Sequence, residues 1–303
     1  MSACTPFVPG TLAESIASVT AKALAAGALL PITTGCEFIE DGGVRFLVRV
    51  LTSLQRKSAQ RAAEERSAAA GQPVNPFLPY EQALFVADVS DSHVALLNKF
   101  NVVDRHLLIV TREFEQQRSL LTLRDFEAWW RCLGEYDSLG FYNGGPEAGA
   151  SQPHKHLQLV PLPLAPQGPP VPIAPLLEKV RGPGGSGTIS GFDFSHAFAR
   201  LGAATIESAA AREAFERYVS MLEQVDLRPP SGTGSELQGG PYNFIVTKEW
   251  LLLVPRSREF FNSISINGLG FAGALLVWNE EQLRALRAAG PLTALRETAL
   301  PSR

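Results

Sequence analysis

Residues 151–160 constrain the fold more tightly than any other part of the chain, because they alternate polar and apolar side chains around two histidines. Successive side chains of a β-strand point to opposite faces, so His154, His156 and Gln158 are expected on one ridge and Lys155, Leu157 and Leu159 on the other. Two imidazoles and an amide on one ridge pack poorly in a dry core. That cost suggests a functional use for the ridge. Metal ligation, a satisfied polar core and catalysis are all open uses of such a pair. Zinc is disfavoured, because Cys4, Cys36 and Cys132 are far apart without a C-x-x-C pair and His93, His106 and His196 are scattered. A neutral imidazole is a good nucleophile toward a phosphoanhydride near pH 7, provided that its other ring nitrogen is held in the right tautomer. Gln158 has an NH2 group that can donate to a phosphate oxygen, and residues 149–152 offer backbone and hydroxyl donors after a glycine.

The remaining patterns predict an α+β chain. Residues 11–30 read as an amphipathic helix, and residues 36–40 and 44–50 as a hairpin around Asp41, Gly42 and Gly43. Three short strands at 83–89, 93–100 and 106–111 suggest an antiparallel meander. A helix follows a Thr122 cap, with Phe126, Trp129, Trp130 and Leu133 on one packed face. A charged, alanine-rich run at 55–71 and a proline-rich run at 72–79 read as an insertion. Further on come a helix over 203–224, a hairpin over 242–247 and 250–255, a last strand or the start of a buried helix over 273–278, and a terminal helix over 280–289. Proline and glycine dominate 166–191, which divides the chain into an N-terminal region 1–165, a linker or loop 166–191 and a C-terminal region 192–303. A net charge of -3 and a pI near 6.0 argue against a broad nucleic-acid surface. No uninterrupted apolar window approaches the roughly 20 residues of a spanning helix. No nucleic acid and no membrane partner are expected, and a cytoplasmic setting suits the unpaired cysteines.

The H-x-H-x-Q string at 154–158 resembles the transferase form of the histidine-triad motif, and more narrowly that of the diadenosine tetraphosphate phosphorylases, also called ATP adenylyltransferases. The likeness extends to residues 75–81, 96–100, 106–114, 242–244, 247–256 and 265–273. It implies a histidine-triad-like antiparallel sheet flanked by helices, in two halves arranged as in a galactose-1-phosphate uridylyltransferase. It further implies that His156 attacks the α-phosphate of diadenosine tetraphosphate (Ap4A), expels ATP and carries AMP until inorganic phosphate removes it as ADP. His154, Gln158 and Ser151 would support that chemistry. Glutamine at 158, where hydrolytic members carry a third histidine, favours transfer to phosphate over water. By the same matching, Asn143, Gly149, Ala150, Ser151 and Gln152 would hold phosphates, Asn98 and Lys99 would contact the nucleotide, and Asn267, Gly268 and Leu269 would shape the second nucleotide or polyphosphate pocket. Lys57 is either a phosphate-binding lysine or a solvated one. His106 and Lys155 read as structural residues. The expected partners are Ap4A, ATP, ADP, AMP and phosphate, with no covalently required cofactor, no protein-held metal, and any Mg2+ carried in by the polyphosphate. The alternatives are a hexose-1-phosphate uridylyltransferase-like enzyme and a non-catalytic nucleotide sensor; oligomeric state is left open.

Overall fold

Short runs of branched and aromatic residues, punctuated by Gly, Pro and Asp, give this chain many brief strands, which bury their apolar faces by joining one large sheet. The computed structural model describes residues 5–51, 75–180, 186–202, 207–229 and 236–302. Helix α1 (Leu12–Ala25) is followed by a hairpin of β1 (Thr34–Asp41) and β2 (Val44–Leu51). Gly42 and Gly43 turn it with φ of 56° and 81°, the left-handed backbone that a two-residue hairpin loop requires. The expected meander is β3 (Phe85–Asp88), β4 (His93–Leu97) and β5 (Leu107–Thr111). Helix α2 (Leu123–Leu133) starts at Thr122 with a capping box to Asp125, and its Phe126, Trp129, Trp130 and Leu133 are buried. Strands β6 (Ser138–Gly144) and β7 (His156–Pro161) follow, then a short helix α3 (Ala174–Leu177). Strand β8 (Ala197–Arg200), helix α4 (Glu207–Gln224), and the hairpin of β9 (Tyr242–Val246) and β10 (Trp250–Pro255) come next. The chain ends with β11 (Phe260–Phe261), β12 (Ile264–Ser265), α5 (Gly268–Phe271), β13 (Ala274–Val277), α6 (Glu280–Ala289) and α7 (Pro291–Thr298).

Eight strands form one sheet in the order β3-β4-β5-β7-β6-β9-β10-β8, with every neighbouring pair antiparallel. A second, three-stranded sheet has the order β1-β2-β13, and β13 pairs with β2 in parallel. The architecture is thus α+β, as the patterns implied, with an antiparallel sheet flanked by helices, as the resemblance implied. One face of the large sheet, including Leu157, Leu159, Phe244 and Leu251, packs under Ile16 of α1, Phe126 and Trp129 of α2 and Tyr218 of α4. On the other face, Phe141, Val160, Ile245 and Leu252 pack against Phe46, Val48 and Val277 of the small sheet. Beside them, β4 and β5 carry only a small cluster of Val94, Leu96, Leu108 and Val110 under Phe77. The uncovered ground between these two clusters is where His156 emerges. The proline-rich stretch contributes to the second core, since Val171, Ile173, Leu176 and Leu177 are buried there.

Two sequence expectations need adjusting. Regular strand begins at His156 rather than at Ser151, because Pro153 has no N–H to give and the preceding residues bond irregularly to residues 111–117. Strand β6, next to β7, has no clear signature in the sequence, because Gly140 and Gly144 read as breakers.

Candidate active site

His156 opens β7 and lines a cavity of about 660 Å³. Its Nδ1–H donates to the His154 carbonyl at 2.8 Å. A carbonyl only accepts, so the proton sits on Nδ1 and Nε2 keeps its lone pair. Burial lowers the ring's pKa to about 4, against a raising contribution from that hydrogen bond, so the imidazole is neutral at pH 7.

The strand beside it is held open. Pairing of β6 with β7 stops at Phe141 and Gln158, two residues short of His156. Beyond that point the Gln117 side chain stands between the strands, accepting from the His156 N–H at 2.8 Å and donating to the carbonyls of Asn143 at 2.9 Å and His156 at 3.3 Å. A side-chain amide thus substitutes for a missing rung of the ladder.

Gln158 is oriented by a relay across three strands. The Phe100 N–H donates to Asn98 Oδ1, which turns Asn98 Nδ2 toward His106 Nδ1 at 3.1 Å. His106 therefore accepts at Nδ1 and donates from Nε2 to Gln158 Oε1 at 3.0 Å. Burial lowers the His106 pKa to about 4, which keeps this ring singly protonated at neutral pH. With Oε1 engaged, the Gln158 NH2 is the end left for a ligand in the cavity. His106, expected as a structural residue, lines the cavity and sets the orientation of Gln158.

The same cavity is lined by Asn98, Lys99, Asn143, Gly149, Ser151, Gln152, Asn267 and Leu269. Asn143 Oδ1 accepts from Asn243 Nδ2 at 2.8 Å and from the Gly268 N–H at 3.0 Å, leaving its NH2 without a partner among the described residues. Gly149 has φ of 86°, and a Cβ there would stand 3.0 Å from that of Asn267, so the close approach of these two turns depends on glycine. Asn267 caps α5 by accepting from the Leu269 N–H at 3.0 Å. Lys99 pairs with Glu81 at 2.9 Å. Ala150 and Gly268 support these turns through backbone bonds without lining the cavity. Lys57 lies outside the described residues.

His154 is occupied elsewhere. Its Nε2 faces the carbonyls of Thr111 at 2.9 Å and Glu113 at 3.1 Å, so it donates there, while Nδ1 takes the Asn75 amide at 2.9 Å. Its ring ties residues 75–77 to the end of β5, and Phe77 packs on both His154 and His156. Lys155 points to the other face, fully buried, with Nζ donating to Asp125 at 2.8 Å, Glu115 at 3.0 Å and the Leu120 carbonyl at 3.0 Å. His93 also bonds Asp125, at 3.0 Å. Burial alone would raise the Asp125 pKa, but His93 and Lys155 outweigh it and hold the carboxyl near 2. Among the described residues no three His, Cys, Asp or Glu side chains come together as a metal site, and no helix is long and apolar enough to cross a membrane.

Two family models match the chain. One, described as the Ap4A phosphorylase N-terminal domain, covers residues 2–179, and the other, the ATP adenylyltransferase C-terminal domain, covers residues 190–301. The chain is 31% identical to diadenosine 5',5'''-P1,P4-tetraphosphate phosphorylase 2 of Saccharomyces cerevisiae over 240 residues, 70% of this chain and 71% of the relative. The crystal structure of yeast Ap4A phosphorylase Apa2 superposes with a TM-score of 0.77 at 25% identity, covering 98% of this chain and 100% of that one. The same yeast protein in complex with Ap4A shares the fold, with a TM-score of 0.74 at 22% identity over 98% of this chain and 100% of that one.

Proposed function

We propose that this chain, which belongs to the Ap4A phosphorylase and ATP adenylyltransferase family, splits Ap4A with inorganic phosphate into ADP and ATP, reversibly and in two steps through an AMP adduct on His156. In the first step His156 Nε2 bonds to the α-phosphorus, the bond from that phosphorus to the bridging oxygen breaks, and ATP leaves with the electron pair. In the second, an oxygen of inorganic phosphate displaces the histidine nitrogen and AMP departs as ADP. Dividing the transfer in this way replaces one difficult displacement with two easier ones and predicts ping-pong kinetics.

The observation that carries this reading is the pairing of a neutral, tautomer-fixed His156 with a Gln158 amide whose NH2 is free for a phosphoryl oxygen. Donors aimed at developing charge in a site closed to bulk water stabilise the transition state strongly. The amide of Asn143 and the turn at 149–152 would hold the polyphosphate, and the apolar wall of Phe77, Leu96, Leu108 and Phe141 suits a nucleoside. Any magnesium would enter with the polyphosphate, whose oxygens are hard ligands for it.

Incubation with Ap4A in the absence of phosphate should yield protein heavier by one adenylyl group in intact-mass spectra. Added phosphate should discharge it as ADP. The adduct should vanish in His156→Ala; an adduct on a different residue, or a uridylyl adduct formed from UDP-glucose instead, would overturn the assignment. No adduct together with tight nucleotide binding would leave the chain a sensor.

A further inference from the structure

Arg256, just past β10, is about 1% exposed, yet no carboxylate among the described residues lies within ion-pair distance of it. Its guanidinium is satisfied by oxygens of the protein instead. Nε donates to the Thr298 carbonyl at 2.9 Å and Nη2 to the Arg258 carbonyl at 2.8 Å. Nη1 donates to the Ile266 carbonyl at 2.8 Å and to Asn243 Oδ1. The plane rests over Phe271, 5.1 Å from the ring centroid. Burial outweighs the favourable charge of Glu259 and lowers the guanidinium's pKa to about 9, so a buried guanidinium with no direct ion pair is unfavourable here, and a core apolar residue would pack at lower cost.

What the guanidinium holds is informative. Asn243 is fully buried, and with its Oδ1 fixed by Arg256 its Nδ2 must face the other way, donating to Asn143 Oδ1 and the Ala148 carbonyl, each at 2.8 Å. Ile266 immediately precedes Asn267, whose turn donates the Gly268 N–H to the same Asn143 oxygen. Both routes from Arg256 thus converge on one atom, and that atom decides which way the Asn143 amide faces. With the oxygen saturated from behind, the NH2 is left on the cavity side.

Taking the phosphorolysis reading as its basis, we propose that Arg256 is a positioning residue for the polyphosphate, which acts through Asn243 and Ile266 to hold the Asn143 amide with its NH2 turned to the substrate. It touches no substrate itself. Its loss should therefore weaken recognition of phosphates while leaving recognition of the nucleoside intact.

The test compares ATP and adenosine binding by calorimetry in wild type and Arg256→Met, with melting curves to establish folding. The expected result is about tenfold weaker ATP binding, the loss of one charge-assisted contact, with adenosine binding unchanged. Asn243→Ala severs the link to Asn143 while leaving Arg256 its three carbonyls, and should reproduce the selective loss even if Arg256→Met does not fold. Unchanged ATP binding in Asn243→Ala, or equal losses for ATP and adenosine in a folded variant, would overturn the proposal. The adduct assay on wild type is independent of this ratio, so failure of the phosphorolysis reading would be seen separately.

Discussion

At the scale of single residues, the two buried rings define how the reaction should respond to pH. His156 has a folded pKa near 4, so it is neutral above that value and loses its lone pair only as pH falls through it. An ordinary histidine would lose it near 6.5. The first half-reaction, adenylylation by Ap4A without phosphate, should hold its rate from pH 8 down to about 5 and fall near 4, as read by quenched-flow mass spectrometry. A drop centred near 6.5 would mean that His156 is not so deeply desolvated. His156 and Gln158 were legible in the sequence because a two-residue spacing on a strand is a local fact. His106 and Gln117 were not, since His106 meets Gln158 only across the β5–β7 ladder and Gln117 sits in a loop whose path no local pattern specifies.

At the scale of elements, strand β7 is anchored from the face opposite His156. Lys155 ties the segment before β7 to Asp125 in the first turn of α2, and Asp125 simultaneously caps that helix and bonds His93 of β4. Removing one member of such a buried pair strands the other. Lys155→Met should cost about 3–5 kcal/mol of unfolding free energy in urea titrations. A cost below 1 kcal/mol would show that water reaches Asp125 freely. Hairpins, meander and the capped helix could be read from turn residues and periodicity, because these are short-range signals. Strand β6 could not: Gly140 looks like a breaker, but a Cβ there would come within 2.7 Å of Trp129 Nε1, and that indole donates to the Gln158 carbonyl. The glycine serves the packing of a helix against the strand rather than a turn.

At the scale of the whole molecule, the two sequence regions share their sheets. Strand β6 from the first region is bonded along its length to β9 from the second, and β2 is bonded to β13. A fragment ending at residue 165 would expose both edges and the Phe141 and Val48 faces, so it should fail to give a cooperative thermal transition, and co-expression with residues 166–303, which restore the buried Val171, Ile173, Leu176 and Leu177, should restore one. A sharp transition from the fragment alone would contradict this. Sequence composition located the proline- and glycine-rich stretch between the regions, but which strands pair across it is a long-range outcome that composition does not encode.

The same pairing of β2 with β13 carries a consequence for how the molecule is made. On the ribosome His156 emerges at mid-chain, whereas the wall of its cavity contributed by Asn267, Leu275 and Trp278 is translated more than a hundred residues later. A nascent chain that ends before β13 therefore lacks part of the cavity wall, which is complete only after that strand has paired with β2.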